Sequence, residues 1–144
     1  MPSVSRTFQT STPPDAVFEY LADFTNTIEW DPGTRSCERV SGDGGVGTTY
    51  RNVSSFMGRS VEVTYTATEL ERPSRVHFVG RNAQFEGHDI LDLRPESGRT
   101  EVTYRADFSF SGPSRLLSPV VGLLVLPLLA TKTVDQLKRS LDRL

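Results

Sequence analysis

Few side chains in this chain are suited to chemistry, and the most telling is Asp89. Its strand alternates, and the apolar parity places Phe85, Gly87, Asp89, Leu91 and Leu93 on one row, with Glu86, His88, Asp92 and Arg94 on the other. Ile90 breaks the polar row. An inward carboxylate is costly unless it is paired, so Asp89 must sit at the mouth of a cavity or hold its proton at raised pKa. In that state it can contact a ligand or serve as a general acid or base. The bland alternatives are a local bulge that turns it outward, or satisfaction by Arg6 or a tyrosine hydroxyl.

The other reactive types give less. His77 and His88 fall on the outer rows of adjacent strands, close enough to be neighbours, but no third ligand of metal type lies nearby in sequence, and no metal or other cofactor is expected. The lone cysteine, Cys37, excludes an internal disulfide and fits a reducing, cytoplasmic setting. The glycine-rich stretch 41–45 lacks the Gly-Lys-Ser/Thr ending of a phosphate loop, and no helix follows it, so it reads as a hairpin loop. No nucleophile-elbow motif supports a Ser-His-Asp arrangement.

The elements that must position Asp89 follow from periodicity. Residues 4–10 form a first strand, with Val4, Arg6, Phe8 and Thr10 on one face. Ser11 or Thr12 can cap a helix whose first turn holds Pro13, Pro14 and Asp15, and whose stripe is Ala16, Val17, Tyr20 and Leu21. A short helix or turn spans 25–30 and ends at Asp31-Pro32-Gly33. Strands follow at 35–40, 48–56, 59–70, 75–80, 83–94 and 99–110. The two-residue turn Met57-Gly58 sets a register of Phe56 opposite Arg59, Ser54 opposite Val61, Asn52 opposite Val63 and Tyr50 opposite Tyr65. The last strand is the clearest: Val102, Tyr104, Ala106, Phe108 and Phe110 point inward. The turn assigned to Arg81-Asn82 pairs Val76 and Phe78 with Phe85 and Gly87.

Gly112-Pro113 ends the strands, and 113–144 reads as one helix, apolar first and amphipathic later. Its apolar run, 116–130, carries Ser118, Pro119, Gly122 and Pro127 and falls short of the ~20 residues a bilayer requires. Stable membrane insertion is therefore not expected. A net charge of −2 and a pI near 5.7 give no reason to expect nucleic acid. The basic residues Lys132, Lys138, Arg139 and Arg143 complement a helix C-terminus. The N-terminus is polar and strand-like, without the pattern of a signal peptide.

One antiparallel sheet with one long helix has few solutions: an α+β domain over 1–144, about seven strands wrapped on the helix, with two short helices after the first strand. The inward list is Trp30, Tyr50, Asn52, Ser54, Phe56, Val63, Tyr65, Phe78, Phe85, Tyr104 and Phe108, with Leu117, Val121, Leu124 and Leu128 from the helix. Such walls make pockets for small apolar molecules, and they also make ordinary cores. Asn52, Ser54 and Asp89 discriminate, because a dry core rarely uses them.

The order strand, two helices, six strands and a long final helix resembles the helix-grip fold of the START and birch-pollen-allergen superfamily. Within it, the chain looks like the polyketide cyclase/dehydrase-type group often labelled SRPBCC. The resemblance rests on Pro13-Pro14-Asp15-Ala16-Val17-Phe18-Glu19-Tyr20-Leu21-Ala22-Asp23, on Glu29-Trp30-Asp31-Pro32, on Gly47-Thr48-Thr49-Tyr50, on Gly58-Arg59 and on Gly98-Arg99-Thr100-Glu101-Val102-Thr103-Tyr104. It implies a cavity between sheet and helix for a hydrophobic ligand such as a polyketide, lipid or sterol, with the broken helix start at Pro119, Gly122 and Pro127 acting as a gate. The chain lacks the inward histidine that would support acid–base chemistry carried over from catalytic relatives. Three functions are expected in turn. The first is a binder of a small hydrophobic ligand, a monomer or homodimer. The second is a cyclase or dehydratase in which Asp89 accepts the proton, helped by Tyr50, Tyr65 or Tyr104. The third is a protein-interaction module using the apolar helix.

Overall fold

A computed structural model describes residues 3–56, 58–120 and 124–144. The strands are β1 (Ser3–Thr10), β2 (Thr34–Ser41), β3 (Thr49–Phe56), β4 (Arg59–Glu71), β5 (Arg75–Asn82), β6 (Phe85–Glu96) and β7 (Arg99–Phe110). They form one antiparallel sheet in the order β1-β7-β6-β5-β4-β3-β2. Between β1 and β2 lie α1 (Pro14–Ala22), a 3₁₀ turn (Phe24–Asn26) and α2 (Thr27–Trp30). After β7 come a 3₁₀ segment (Gly112–Leu117), the short α3 (Ser118–Val120) and α4 (Leu126–Asp142).

Alternation produces the sheet's two faces as expected. On β7, Val102, Tyr104 and Ala106 are all buried. The β3–β4 hairpin pairs Phe56 with Arg59, Ser54 with Val61, Asn52 with Val63 and Tyr50 with Tyr65, the register that a two-residue turn demands. Gly58 takes a positive φ of 80° there; Met57 lies outside the described residues.

The β5–β6 turn differs from expectation. It falls at Ala83-Gln84 rather than Arg81-Asn82, so Val76 pairs with Leu91 and Phe78 with Asp89, not with Phe85 and Gly87. The turn moves by two residues and each cross-strand partner by four, which preserves parity, and Asp89 stays on the inner face.

Two helix expectations are also corrected. Pro13 stands at the N-cap of α1 with no side-chain cap. Thr12, one of the two expected caps, instead donates its Oγ1 to the Leu141 carbonyl at 2.5 Å, and at the end of β1 Thr10 Oγ1 donates to Asp142 Oδ1 at 2.5 Å, so this corner is tied to α4. The long final helix begins at Leu126 rather than Pro113. Its buried stripe is Leu126, Ala130, Thr133, Leu137 and Leu141, spaced by three and four. Leu124 and Leu128, expected inside, are 70% and 60% exposed. At about 100° per residue, a side chain two positions from Leu126 faces nearly away from it, so seating Leu126 and Ala130 turns Leu124 and Leu128 out. Val121, and the side chain of Leu117, lie outside the described residues.

The seated half of α4 packs on β1 and α2. Gln136 Nε2 donates to the Glu29 carbonyl at 2.7 Å, and Ser140 Oγ donates to the same oxygen at 3.3 Å. Among the described residues no helix is long and apolar enough to cross a membrane.

Candidate functional site

The inner face of β4 to β7 gathers aromatic rings around the acid. Phe24, from the turn before α2, lies 4.3 Å from Phe78 and 4.6 Å from Tyr65 between ring centroids. It also contacts Tyr50 at 5.9 Å. Trp30, the last residue of α2, meets Tyr104 edge to face at 6.2 Å. Phe85 and Phe108, 5.2 Å apart, close over Gly87. A Cβ on Gly87 would sit 2.6 Å from Phe85 Cζ. Its cross-strand partner Gly80 makes the same room for Tyr65, whose Cε1 would be 2.6 Å away. Opposed glycines thus open a trough in the inner face that rings fill, a device not read from the sequence.

Asp89 lies in this setting, half-buried, and accepts a hydrogen bond from Tyr104 Oη at 3.1 Å. Desolvation, reinforced by the negative charge of Asp31, pushes its pKa from 3.8 up to about 7, against the Tyr104 hydrogen bond. The tyrosine-hydroxyl alternative therefore describes the local geometry. It does so without stabilising the ionised form enough to restore an ordinary carboxylate. Tyr65 and Tyr104 are themselves held well above the usual phenol range by burial and then by Asp89.

Asp31 is the functional candidate that sequence reasoning missed. It was legible only as part of a turn, because no periodicity extends through Trp30-Asp31-Pro32-Gly33. Its carboxyl accepts from Thr34 Oγ1 at 2.6 Å and from the Gly33 N–H at 3.3 Å. Burial outweighs both bonds and pushes its pKa up. The interior thus holds two acids whose charged forms oppose each other.

The remaining expected residues divide. Trp30, Tyr50, Val63, Phe78 and Tyr104 are buried, while Phe56, Tyr65, Phe85 and Phe108 are half-buried on the same face. Phe56 meets Phe108 at 6.5 Å. Trp30 Nε1 is buried with no acceptor among the described residues, a cost of ~1–3 kcal/mol for an orphaned donor. Asn52 is committed to the architecture: its Nδ2 donates to Thr34 Oγ1 at 3.2 Å and to Thr27 Oγ1 at 3.5 Å, and its Oδ1 accepts from Ser54 Oγ. This polar network fastens α2 and β2 to β3, and it accounts for two side chains that a dry core would not use. Cys37 is paired with Asn52 across the strands, and burial pushes its thiol up.

Two hollows lie elsewhere. One of about 550 Å³ is lined by Glu19, Asp23, Arg39, Asp43 and Tyr50 among others. The other, of about 250 Å³, includes Arg81, Phe85, Glu86 and Phe110. Their charged walls make poor lipophilic sites, and neither includes Asp89.

A seven-stranded antiparallel sheet closed by a C-terminal helix, with two short helices after β1, is the helix-grip architecture. The chain matches the family described as polyketide cyclase / dehydrase and lipid transport over residues 1–144, and belongs to it. No curated protein matches. Solved structures share the fold: a START superfamily protein from Mycobacterium smegmatis is 13% identical, with a TM-score of 0.83 and 99% of each chain covered. The Zhui aromatase/cyclase from Streptomyces sp. R1128 is 15% identical at TM-score 0.75, covering 96% of this chain and 90% of that one. TTHA0849 from Thermus thermophilus is 21% identical at TM-score 0.75, covering 99% and 95%.

Proposed function

We propose that this protein binds a small, largely apolar ligand, of polyketide, lipid or sterol type, in a cavity between the inner sheet face and the C-terminal helix. The observation that carries the reading is Asp89. Its side chain keeps accessible surface, yet its charge is desolvated enough to raise its pKa to about 7. A carboxyl that holds its proton near neutral pH among aromatic rings is a polar group that the proposed cavity would present to a ligand. The surrounding wall of Trp30, Phe56, Val63, Tyr65, Phe78, Phe85, Tyr104 and Phe108 is apolar, with few polar groups, as ligand pockets are. The breaks at Pro119, in the three-residue α3, and at Pro127, in the first turn of α4, are where a gate would move; Gly122 lies outside the described residues. Binding is tested with a fluorescent fatty-acid or sterol analogue. Saturable binding that raises the melting temperature and survives Asp89→Asn supports the proposal; no stabilisation by any such probe refutes it.

A second reading is a cyclase or dehydratase acting on an aromatic polyketide-like substrate. It is favoured by the same pKa, since an acid near 7 exchanges a proton at physiological pH. Asp89 would accept the proton, with Tyr104 positioned by its hydrogen bond to it. Loss of turnover in a folded Asp89→Asn protein distinguishes this from simple binding. The interaction-module reading draws on Leu116, Leu124 and Leu128, which are 84%, 70% and 60% exposed, and fits a second copy of this chain. Sedimentation of wild type against Leu124→Glu separates it, because only a dimer seated there would dissociate.

A further inference from the structure

We propose that the outer face of the sheet carries a divalent transition-metal site built on His77 of β5 and His88 of β6. It lies on the opposite face of the sheet from Asp89 and owes nothing to the proposed ligand cavity.

The two imidazoles meet directly. His77 Nε2 and His88 Nδ1 are 2.9 Å apart, with the ring centroids at 5.2 Å. Two nitrogens in adjacent positions at right angles around a metal, each at about 2.0–2.1 Å, stand about 2.9 Å apart; the tetrahedral separation is nearer ~3.3 Å. Without metal this contact is a hydrogen bond, so ligation requires the rings to turn until both lone pairs converge; the usual order of divalent affinities then puts Cu²⁺ first.

The other nitrogens face carboxylates. His88 Nε2 lies 2.9 Å from Glu86 Oε2, which assigns the proton of neutral His88 to Nε2 and leaves Nδ1 as a lone pair. His77 Nδ1 is 3.9 Å from Glu69 Oε1. For His77 to ligate, its proton moves from Nε2 to Nδ1, whose 3.9 Å separation from Glu69 Oε1 closes to a hydrogen bond only as the ring turns. No net proton is released above the imidazole pKa. Carboxylates behind ligating imidazoles are the usual orienting groups of metal-binding histidines.

The backbone places Glu69 there by an irregularity. The β4–β5 register shifts between Ala67 and Glu69, so Glu69, rather than Thr68, stands opposite His77. Thr68 Oγ1 donates to the His77 carbonyl at 3.1 Å and pins that strand. A bulge that re-aims one side chain at another is a common feature beside functional sites. Continuing across the sheet, Asp107 of β7 is paired with His88 but is engaged by Arg105 at 3.1 Å. Arg75 is held by Asp92 at 2.6 Å, and Arg81 by Glu86 at 2.8 Å, so neighbouring cations are balanced.

Among the described residues no set of three or more His, Cys, Asp or Glu side chains is already gathered for a metal. The site is accordingly a two-nitrogen chelate whose remaining positions are filled by water or by an added donor.

The test is calorimetric titration with CuCl₂, NiCl₂, ZnCl₂ and MgCl₂ in a non-chelating buffer at about pH 7.5. One saturable equivalent of Ni²⁺ and Cu²⁺ is expected, with Zn²⁺ weaker and Mg²⁺ silent. His77→Gln and His88→Gln should each weaken Ni²⁺ binding at least tenfold, and Glu86→Gln by about tenfold through the lost orienting contact. Cu²⁺ should also broaden the amide resonances of His77 and His88 in the unaltered protein, a readout that needs no variant to fold. The proposal is overturned by the absence of saturable Ni²⁺ binding up to about 1 mM, by wild-type affinity in either histidine variant, or by broadening confined to other residues.

Discussion

Asp89 and His88 are consecutive residues of one strand, and the pleat sends them to opposite faces. On the inner side, desolvation raises Asp89 to about 7. On the outer side, desolvation lowers His77, the partner of His88. Both shifts disfavour charge, yet in the acid that means holding a proton and in the base it means losing one. A single strand pair thus presents two neutral, exchangeable groups to two separate environments. The two faces differ in what surrounds the polar group: aromatic rings inside, ion pairs outside.

The two faces should respond very differently to perturbation. The largest effect is expected from the inner aromatic cluster: Phe78→Ala removes a fully buried ring stacked on Phe24 and should cost about 3–5 kcal/mol in urea unfolding. His77→Ala, one residue away on the outer face, should cost under about 1 kcal/mol. Equal losses would show that the outer face is structurally as demanding as the inner.

Next in size is the pH dependence of Asp89. Its native pKa stands above its unfolded one, so from 3.8 to about 7 the unfolded chain releases a proton that the native protein keeps. Stability therefore falls as pH rises through that window, by on the order of 4 kcal/mol. Asp89→Asn should flatten the slope and leave the variant the more stable protein above pH 7. Parallel slopes in the two proteins would mean that Asp89 is ionised in the fold.

The smallest effect has the opposite sign. With a native pKa below 6.5, His77 is protonated first in the unfolded chain as pH falls, so stability is lost on the acid side of 6.5. His77→Gln should reduce the slope of stability against pH just below 6.5. A slope that persists unchanged would assign the acid limb to other groups.

Much of this arrangement is legible in the chain's pattern alone. Alternation of period 2 depends only on parity, so the inward position of Asp89 survived a turn misplaced by two residues. The Met57-Gly58 spacing carried the β3–β4 register outright. The start of the last helix was not legible, because an almost wholly apolar run has no polar side to set its phase. Leu124 and Leu128 were assigned inward on apolarity alone, and Leu126 and Ala130 took the seat. Asn52 was recognised as unusual, but its partners Thr27 and Thr34 come from other elements. Asp31 and the bulge at Thr68 depend on tertiary packing and register, which leave no pattern in the local sequence.

The sheet order puts β1 beside β7, and Thr10 is bonded to Asp142, 132 residues along the chain. During synthesis, the first strand made must wait for the last strand before it has a neighbour, and the hydroxyls at its end wait longer still. Long-range pairing of this kind slows folding and leaves an open strand edge exposed on the nascent chain. A premature stop anywhere before β7 would therefore cost the protein its first strand as well as its last. All seven strands have to be synthesised before the sheet can acquire the border that β1 forms.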